Sequence, residues 1–319
     1  MRILVTGGAG FIGSNLVKKL LEDKRVSSVS VLDNLATGSR KNLDEFSGNS
    51  NFHFIEGDIR SYETCLRACE EIDCISHQAA LGSVPRSVAD PLTTNEVNIT
   101  GTLNVFTAAK ERKIKRVIYA GSSSTYGDHG GLPKVEDKIG APLSPYAITK
   151  YVAELYAKVY ASLYNIEFIG LRYFNIFGPK QNPQGPYAAV IPLFIKAFLE
   201  NKSPVINGDG EHSRDFTFVD NAVQANIKAI FTTNTNAVNE VYNIACGQQT
   251  SLLQLFNFFK KISNSAVSPV HEPQRAGDVM HSLADISKAK TLLDYEPGIS
   301  LLDGLQGTFE WYKNNPDRL

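Results

Sequence analysis

Short apolar segments alternate with amphipathic segments along the first half of the chain. Apolar runs with the length of buried strands occupy residues 2–6, 28–32, 52–55, 74–77, 115–120 and 167–172. Apolar side chains recur at helical spacing over residues 11–21 and 97–113, and from just after residue 145 to about residue 163. Strands that alternate with helices are typical of an α/β fold with a doubly wound parallel sheet, and this is the fold class that we predict.

The pattern becomes irregular beyond residue 177. Residues 178–187 hold three prolines and two glycines, which favours a loop. Helical spacing returns at residues 190–200, 219–231 and 252–261, mixed with short apolar segments. We therefore expect a first domain over residues 1–177 and a smaller α/β lobe over residues 178–319. The pattern leaves open whether some elements of this lobe return to the main sheet.

Length and charge limit the classes of function that we expect for the protein. A chain of 319 residues buries about three quarters of its unfolded surface and needs no disulfide or metal for stability. Its 32 basic and 33 acidic side chains balance, so no overall field attracts nucleic acid or an anionic membrane. No apolar run reaches about 18 residues, the least that a membrane-spanning helix requires. Any affinity for phosphate must therefore come from a local site.

The cysteines and the N-terminal residues indicate in which cellular compartment the protein is expected. The four cysteines include no CxxC pair, and Cys65 and Cys69 lack the further histidine or cysteine that a zinc site needs. The chain enters a predicted strand at once, which leaves no room for a signal peptide. We expect reduced thiols, no bound metal and a cytoplasmic protein.

A glycine-rich turn joins the first predicted strand to the first predicted helix. Gly7, Gly10 and Gly13 have the spacing GxxGxxG. The first glycine permits the sharp turn, the second lets the backbone approach a pyrophosphate, and the third lets the helix pack closely on the sheet. The free N–H groups and the positive dipole end of the helix favour phosphate. The turn predicts a dinucleotide site.

Acidic residues at strand ends indicate which dinucleotide is bound. Asp33 ends the second strand, twenty residues after Gly13. A carboxylate there accepts hydrogen bonds from the adenosine ribose and repels the 2′-phosphate of NADP, so we predict NAD. Arg40 and Lys41 lie close enough in sequence to keep NADP as an alternative. Asp58, after the third strand, is either beside the adenine or a solvated acid.

Tyr146 and Lys150 form a YxxxK pair at the head of a predicted helix. Four residues apart on a helix, the two side chains share one face. A phenol titrates near 10, so a tyrosine base near neutral pH needs a cation beside it, such as an ammonium or a nicotinamide ring. A serine run at residues 122–124 follows the strand before this helix and faces the ligand crevice at the carboxyl end of the sheet.

With these residues in this order, the chain resembles the extended short-chain dehydrogenase/reductase superfamily. Within it, the chain looks most like the UDP-galactose 4-epimerase family, in the branch that acts on UDP-N-acetylhexosamines. The resemblance covers essentially the whole length. It rests on HQAA at residues 77–80, SSSTYG at 122–127, SPYAITK at 144–150, LRYFNIFGP at 171–179, INGDGEHSRDFTFVD at 206–220 and RAGDV at 275–279.

The resemblance implies roles for the catalytic and cofactor residues. Tyr146 as a phenolate removes the proton of the 4-hydroxyl, Lys150 holds the phenolate and the nicotinamide ribose, and Ser122 hydrogen-bonds the reacting oxygen. Ser123 is the alternative to Ser122. The further cofactor contacts that the resemblance implies are Phe11, Ile12, Asn34, Ile59, Gln78, Ala79, Ala80 and Tyr173.

The resemblance also implies a UDP-sugar site. Arg214 and Arg275 would bind the diphosphate, since a guanidinium suits a bidentate contact, and Asp278 would accept from the uridine ribose. Ser282, shortly after the RAGD segment, matches the position that walls the pocket for the C2 substituent, where a small residue admits an N-acetyl group. The further substrate contacts implied are Gly82, Ser83, Arg86, Asn175, Tyr187, Ala189, Val190 and Asn207.

The serine run separates this chain from related activities. Nucleotide-sugar dehydratases carry an Asp-Glu pair after the catalytic Ser/Thr, and related decarboxylases carry a glutamate; Ser123 and Ser124 occupy these positions here. The resemblance therefore implies oxidation and return of hydride at C4, which is 4-epimerisation. Alternatives are a net dehydrogenase or reductase that releases NADH, and an inactive dinucleotide sensor. The family resemblance further implies a homodimer built on the helices at residues 97–113 and 146–163.

Overall fold

The computed structural model describes residues 1–184, 188–273 and 280–319. Thirteen strands are present in these ranges. They are β1 (Arg2–Thr6), β2 (Ser28–Asp33), β3 (Phe52–Glu56), β4 (Cys74–His77), β5 (Arg116–Ser122), β6 (Glu167–Tyr173), β7 (Ile176–Phe177), β8 (Val205–Asn207), β9 (Ser213–Arg214), β10 (Thr217–Phe218), β11 (Glu240–Ile244), β12 (Thr250–Ser251) and β13 (Val270–Glu272).

Seven of these strands form one parallel sheet in the order β11-β6-β5-β4-β1-β2-β3. The order reverses between β1 and β4, and the predicted doubly wound α/β fold class is confirmed. The connections that follow β1 and β4 lead to helices on opposite faces of the sheet, and this separation opens a crevice for ligands at the carboxyl ends of the two strands. The seventh strand, β11, comes from the second half of the chain and pairs with β6.

Eleven α-helices lie in the described ranges. They are α1 (Phe11–Glu22), α2 (Tyr62–Ala68), α3 (Val84–Ala89), α4 (Pro91–Asn95), α5 (Gly101–Glu111), α6 (Pro145–Tyr164), α7 (Val190–Leu199), α8 (Val219–Phe231), α9 (Leu252–Ser263), α10 (Ser287–Leu293) and α11 (Leu301–Asn314). A π-helical turn, Glu96–Thr100, joins α4 to α5. The helix predicted over residues 97–113 thus belongs to a longer helical path that begins at Pro91.

Local sequence determines where α6, the longest helix, begins and ends. The Ser144 hydroxyl caps its first turn by accepting from the Ala147 amide at 3.1 Å, and Pro145 follows with its backbone already suited to a first helical position. The helix ends at Asn165, which takes a left-handed conformation with φ of 54°. These two ends place Tyr146 and Lys150 in the first turns, next to the sheet edge.

Helices cover both faces of the sheet. One apolar core lies between the sheet and α1, α8 and α10, and a second lies on the opposite face under α2, α5 and α6. A third core, built from α7, α9 and α11 and rich in phenylalanine, belongs to the second half of the chain. None of the helices in the described ranges combines the length and apolar character that a membrane crossing requires.

Candidate active site

A cleft of about 990 Å³ runs along the carboxyl ends of the sheet. Its walls come from the β1–α1 turn, the ends of β2, β4, β5 and β6, the first turns of α6, and segments of the second half around Arg214 and Ser282. Of the described residues that line it, only Asp33 carries a carboxylate. The predicted cofactor and substrate residues therefore meet in one continuous cavity.

The glycine turn is held against the neighbouring strand. Gly7 has a φ of 71°, and a Cβ added there would lie 2.6 Å from the Ala79 amide nitrogen. A Cβ on Gly13 would lie 2.2 Å from the Gly7 carbonyl oxygen. Helix α1 begins after Gly10 without a side-chain cap and with no acidic residue in its first turn. Its first N–H groups are thus available to an anion.

Asp33 lies at the end of β2 and is only 8% exposed. Its Oδ2 accepts from the Ala9 amide at 2.9 Å, and its Oδ1 accepts from the Leu35 amide at 2.8 Å. Burial raises the pKa of this carboxyl, and the two backbone N–H groups oppose that rise. Each carboxylate oxygen keeps acceptor capacity for a ribose hydroxyl. The two cations nearby are each paired, Arg40 with Glu56 and Lys41 with Asp317.

The YxxxK pair and the serine run meet at the centre of the cleft. Ser122, the last residue of β5, accepts hydrogen bonds from the Ser124 amide at 3.2 Å and the Ser124 hydroxyl at 2.9 Å. Lys150 is 8% exposed, and its Nζ donates to the Ala120 carbonyl oxygen at 2.9 Å. The Lys150 Nζ lies 5.9 Å from the centroid of the Tyr146 ring. These three side chains thus surround one point of the cavity.

Burial acts in opposite directions on the two titratable groups. It raises the pKa of the Tyr146 phenol, while a hydrogen bond with Ser122 lowers it. It lowers the pKa of the Lys150 ammonium to about 8. The protein groups around the phenol thus favour its protonated form, and a further positive charge, such as that of a nicotinamide ring, would favour the phenolate.

Asp215 organises the opposite wall of the cleft. This fully buried carboxylate accepts from the Cys246 and Gly247 amides, each at 3.0 Å, and from the Ala284 amide at 3.2 Å. It thereby holds the end of β11 and the segment after Ser282 beside Arg214. The Arg214 Nη1 donates to the Met280 carbonyl oxygen at 3.2 Å, which closes this part of the wall.

Most of the predicted site residues line this cleft. Besides the three glycines and Asp33, the structure places there Phe11, Ile12, Asn34, Ile59, Gln78, Ala79, Ala80, Gly82, Ser83, Ser122, Ser123, Tyr146, Lys150, Tyr173, Asn175, Arg214 and Ser282. Tyr187, Arg275 and Asp278 lie outside the described residues.

Five predicted contacts are not among the lining residues: Asp58, Arg86, Ala189, Val190 and Asn207. The Asp58 carboxylate is instead bound by Arg60 and by the Asn34 side chain, and this lowers its pKa to about 2. Val190 begins α7 and packs against the third core. Asn207 ends β8, which pairs with β13.

Two buried amide side chains support the residues that line the cleft, although neither was expected from the sequence. Asn98, in the π-helical turn, accepts from the Leu81 amide at 2.8 Å and donates to the Leu81 carbonyl at 3.0 Å and to the Thr149 hydroxyl at 3.1 Å. Asn226 on α8 donates to the Tyr173 hydroxyl at 2.7 Å. Asparagine is a poor helix former, so an asparagine inside a predicted helix is the sequence signal that could have indicated a structural role for these side chains.

The chain is similar to known proteins over most of its length. Residues 3–245 match the NAD dependent epimerase/dehydratase family. A putative UDP-glucose 4-epimerase of Methanocaldococcus jannaschii is 38% identical over 98% of this chain and 99% of its own length.

Two solved structures are similar over nearly the full chain. The UDP-N-acetylglucosamine 4-epimerase from Methanobrevibacter ruminantium M1, in complex with UDP-N-acetylmuramic acid, is 38% identical with a TM-score of 0.93, covering 98% of each chain. The UDP-glucuronic acid 4-epimerase from Bacillus cereus, in complex with UDP-glucuronic acid and NAD, is 35% identical with a TM-score of 0.91, covering 99% of this chain and all of that one.

Proposed function

Since the chain belongs to the NAD dependent epimerase/dehydratase family, with UDP-sugar 4-epimerases among its relatives, we propose that it inverts the 4-hydroxyl of UDP-N-acetylhexosamines or of their uronates. Its cofactor is NAD. The relatives named above act on different hexoses, so the choice of sugar rests on the chain's own residues.

The residues of the cleft fit NAD. The turn at Gly7 and Gly13 has no room for side chains, which keeps the backbone close to a passing pyrophosphate. The uncapped start of α1 presents N–H groups to the phosphates. Asp33 lines the same cleft at the end of β2, where its carboxylate would accept from the adenosine ribose and repel a 2′-phosphate.

Three side chains carry the proton chemistry in this proposal. The chemistry that bound NAD supplies is reversible uptake of hydride from C4. Tyr146 takes the proton from the 4-hydroxyl and later returns it to the 4-keto oxygen. Ser122 donates to the same oxygen and so holds it within reach of the phenol. Lys150 stabilises the phenolate by its charge, since a buried ammonium acts strongly over a short distance.

The observation that carries the epimerase assignment is the lack of a carboxylate among the described residues at the reacting end. Apart from Asp33, at the adenosine end, no described residue that lines the cleft bears a carboxylate. Removal of a proton from C5 or elimination at C6 needs a further acid or base. With Tyr146 as the proposed proton carrier and no carboxylate beside it among the described residues, oxidation and reduction at C4 are the steps that the site supports best.

The opposite wall supports a UDP-sugar as substrate. Arg214 and Asn175 line the cleft on the side where the second half of the chain covers it. A guanidinium suits the diphosphate, and we assign Arg275 and Asp278 to the same nucleotide on the sequence resemblance alone. In this proposal residues 1–177 bind NAD and residues 178–319 supply most of the UDP-sugar contacts.

Ser282 supports an N-acetylated sugar. It lines the cleft, and its side chain is among the smallest, so the wall leaves space beside the hexose. A substituent at C2 larger than a hydroxyl needs that space. The cost of the empty space to a smaller sugar is only lost contact, so UDP-glucose is disfavoured rather than excluded.

The test is an incubation of the purified protein, without added cofactor, with UDP-N-acetylglucosamine, its uronate and UDP-glucose in separate reactions. We expect bound NAD after purification and conversion of the N-acetylated sugar to its 4-epimer without release of NADH. Release of stoichiometric NADH would instead identify a dehydrogenase. A protein that holds NAD and converts none of the three sugars would support the inactive sensor.

We also propose that the protein is a homodimer. Four apolar side chains along α6, Ile148, Leu155, Val159 and Leu163, are each between 47% and 65% exposed. Their spacing places them on one stripe of the helix, opposite the residues that face the sheet. A stripe of this kind is covered when the same helix of a second copy packs against it.

A further inference from the structure

Three cationic side chains are buried among the described residues: Lys134, Lys150 and Arg172. Arg172 has a carboxylate partner, Glu154. The two lysines form no ion pair with any described residue and donate only to backbone carbonyl oxygens, Lys150 to that of Ala120 and Lys134 to that of His129. Both lysines line the same cleft.

A buried ammonium without an anion is costly, and proteins keep one where a ligand completes its environment. Lys150 has that explanation in the proposed reaction, because it acts on the phenolate and the cofactor ribose. Lys134 has no such role. It is 6% exposed, and burial lowers its pKa, as expected for a cation that lacks a counter-charge.

The backbone around Lys134 places it at the sugar end of the cleft. Its amide donates to the Leu283 carbonyl oxygen at 2.7 Å, and its carbonyl oxygen accepts from the Asp285 amide at 2.9 Å. Two backbone hydrogen bonds therefore hold Lys134 beside the segment that begins with Ser282, the proposed wall for the C2 substituent. From the other side, the turn after Ser122 brings Ser124, Tyr126 and Gly127 to the same cavity.

No described carboxylate of the protein is available in this part of the cleft to neutralise Lys134, because Asp33 lies at the adenosine end. The diphosphate of a UDP-sugar is assigned to Arg214. A negative group on the hexose itself is the ligand that would pair with Lys134.

We propose that Lys134 is a specificity-determining residue that binds a carboxylate carried by the hexose, so that acidic UDP-N-acetylhexosamines are the preferred substrates. This inference rests on the proposed 4-epimerase function. The carboxylate is either C6 of a uronate or part of an acidic ether on the ring, as in N-acetylmuramic acid, and both offer the same charge-assisted hydrogen bonds to an ammonium.

The experiment compares three sugars on the NAD-bound protein: UDP-N-acetylglucosamine, its C6 uronate and UDP-N-acetylmuramic acid. We expect kcat/KM to be at least about tenfold higher for one acidic sugar than for the neutral one, the gain expected from a hydrogen bond to a charged group. The acidic sugar that shows the gain identifies the position of the carboxylate. A neutral sugar that is turned over as well as both acidic ones would overturn the inference and leave the epimerase assignment intact.

The variant Lys134→Met keeps the length of the side chain and removes its charge. We expect the acidic-to-neutral ratio of kcat/KM to fall at least about tenfold, mainly through KM for the acidic sugar. Lys138→Met, an exposed lysine of the same segment, is the matched control and should keep the wild-type ratio. An equal loss on both sugars in Lys134→Met would show that Lys134 only supports the loop at His129. If Lys134→Met does not fold, the substrate preference of the wild-type protein still decides the matter.

Discussion

Glu154 and Arg172 form a bidentate ion pair between α6 and the central sheet. The Arg172 Nε donates to Glu154 Oε1 at 2.9 Å and its Nη2 donates to Glu154 Oε2 at 2.7 Å. The Arg172 side chain is only 4% exposed, and the Glu154 side chain is only 6% exposed. Glu154 lies one turn beyond Lys150 and about two turns beyond Tyr146, on the same side of the helix. The pair thus fixes the helix that carries the proposed proton donor onto β6.

We expect Glu154→Gln to lower the free energy of unfolding by about 3–5 kcal/mol, because it leaves a buried guanidinium without its anion. Urea denaturation measures this loss. Glu22→Gln, which breaks the exposed pair with Lys19, is the control and should cost less than about 1 kcal/mol. A loss in Glu154→Gln as small as in the control would mean that solvent or a neighbour compensates Arg172.

Tyr146→Phe keeps the ring and its packing and removes the titrating hydroxyl. We expect a folded protein that retains NAD and binds UDP-sugar, with kcat reduced at least about a hundredfold, the usual range for an acid–base group. Tyr151→Phe, on the same helix but not among the cleft residues, should keep its activity. A Tyr146→Phe variant with near wild-type turnover would remove Tyr146 from the mechanism.

Ser282→Tyr fills the space that we assign to the C2 substituent. Overlap with a rigid ring excludes a larger sugar, so the variant should lose epimerisation of UDP-N-acetylglucosamine and keep or improve any activity on UDP-glucose. Product analysis with both sugars measures the change. Ser287→Tyr, an exposed position just beyond, is the control. Conversion of UDP-N-acetylglucosamine at the parent rate by Ser282→Tyr would contradict the assignment of the N-acetyl pocket.

The apolar stripe of α6 predicts the mass of the particle in solution. Light scattering at micromolar concentration should give twice the mass of the 35.0 kDa chain. Leu155→Lys combined with Val159→Lys should give a monomer, because two charges cannot be buried in such an interface. Leu302→Lys, at an exposed apolar residue of α11, should leave the dimer intact. A monomeric wild-type protein would refute the proposal.

Asp215 predicts a pH dependence of stability. Burial raises its pKa from 3.8 to about 6, so the folded chain binds this proton more tightly than the unfolded chain does. The resulting stabilisation is present below pH 3.8 and is lost as the pH rises through 6, a change of about 3 kcal/mol. The difference in unfolding free energy between wild type and Asp215→Asn should fall by most of that amount, about 2–3 kcal/mol, from pH 4 to pH 7. Parallel pH curves for the two proteins would contradict it.

The elements with strong local patterns could be predicted from the sequence, and those that depend on distant partners could not. The bounds of β1, β4 and α8 match the structure, because each has a run or a period that needs no tertiary context. Strand β11 was not identified, since its sequence EVYNI alternates weakly and its place beside β6 depends on the sheet. The short helices α3 and α4 were not predicted either, because helices of this length show no clear apolar period.

The candidate site shows the same contrast between features that follow from local sequence and features that depend on distant residues. The glycine turn and the pair Tyr146 and Lys150 follow from spacing within one element, which a sequence displays directly. The surroundings of Asp58 do so only in part, because Arg60 is two residues away whereas Asn34 reaches the carboxylate only once the loops are folded. Lys134 was not singled out at all, since its burial depends on a segment about 150 residues further along the chain.

The pairing of β11 with β6 has a consequence for how the chain is made. A ribosome synthesises β6 well before β11, and in that interval the outer edge of β6 carries backbone N–H and C=O groups without a strand partner. The helix α8, which covers the same end of the sheet, is also synthesised in the interval. A nascent chain released at residue 177 would therefore expose both an open sheet edge and an uncovered apolar face. We therefore expect residues 1–177, to which we assign the NAD site, to reach their native form only after residue 244 has emerged.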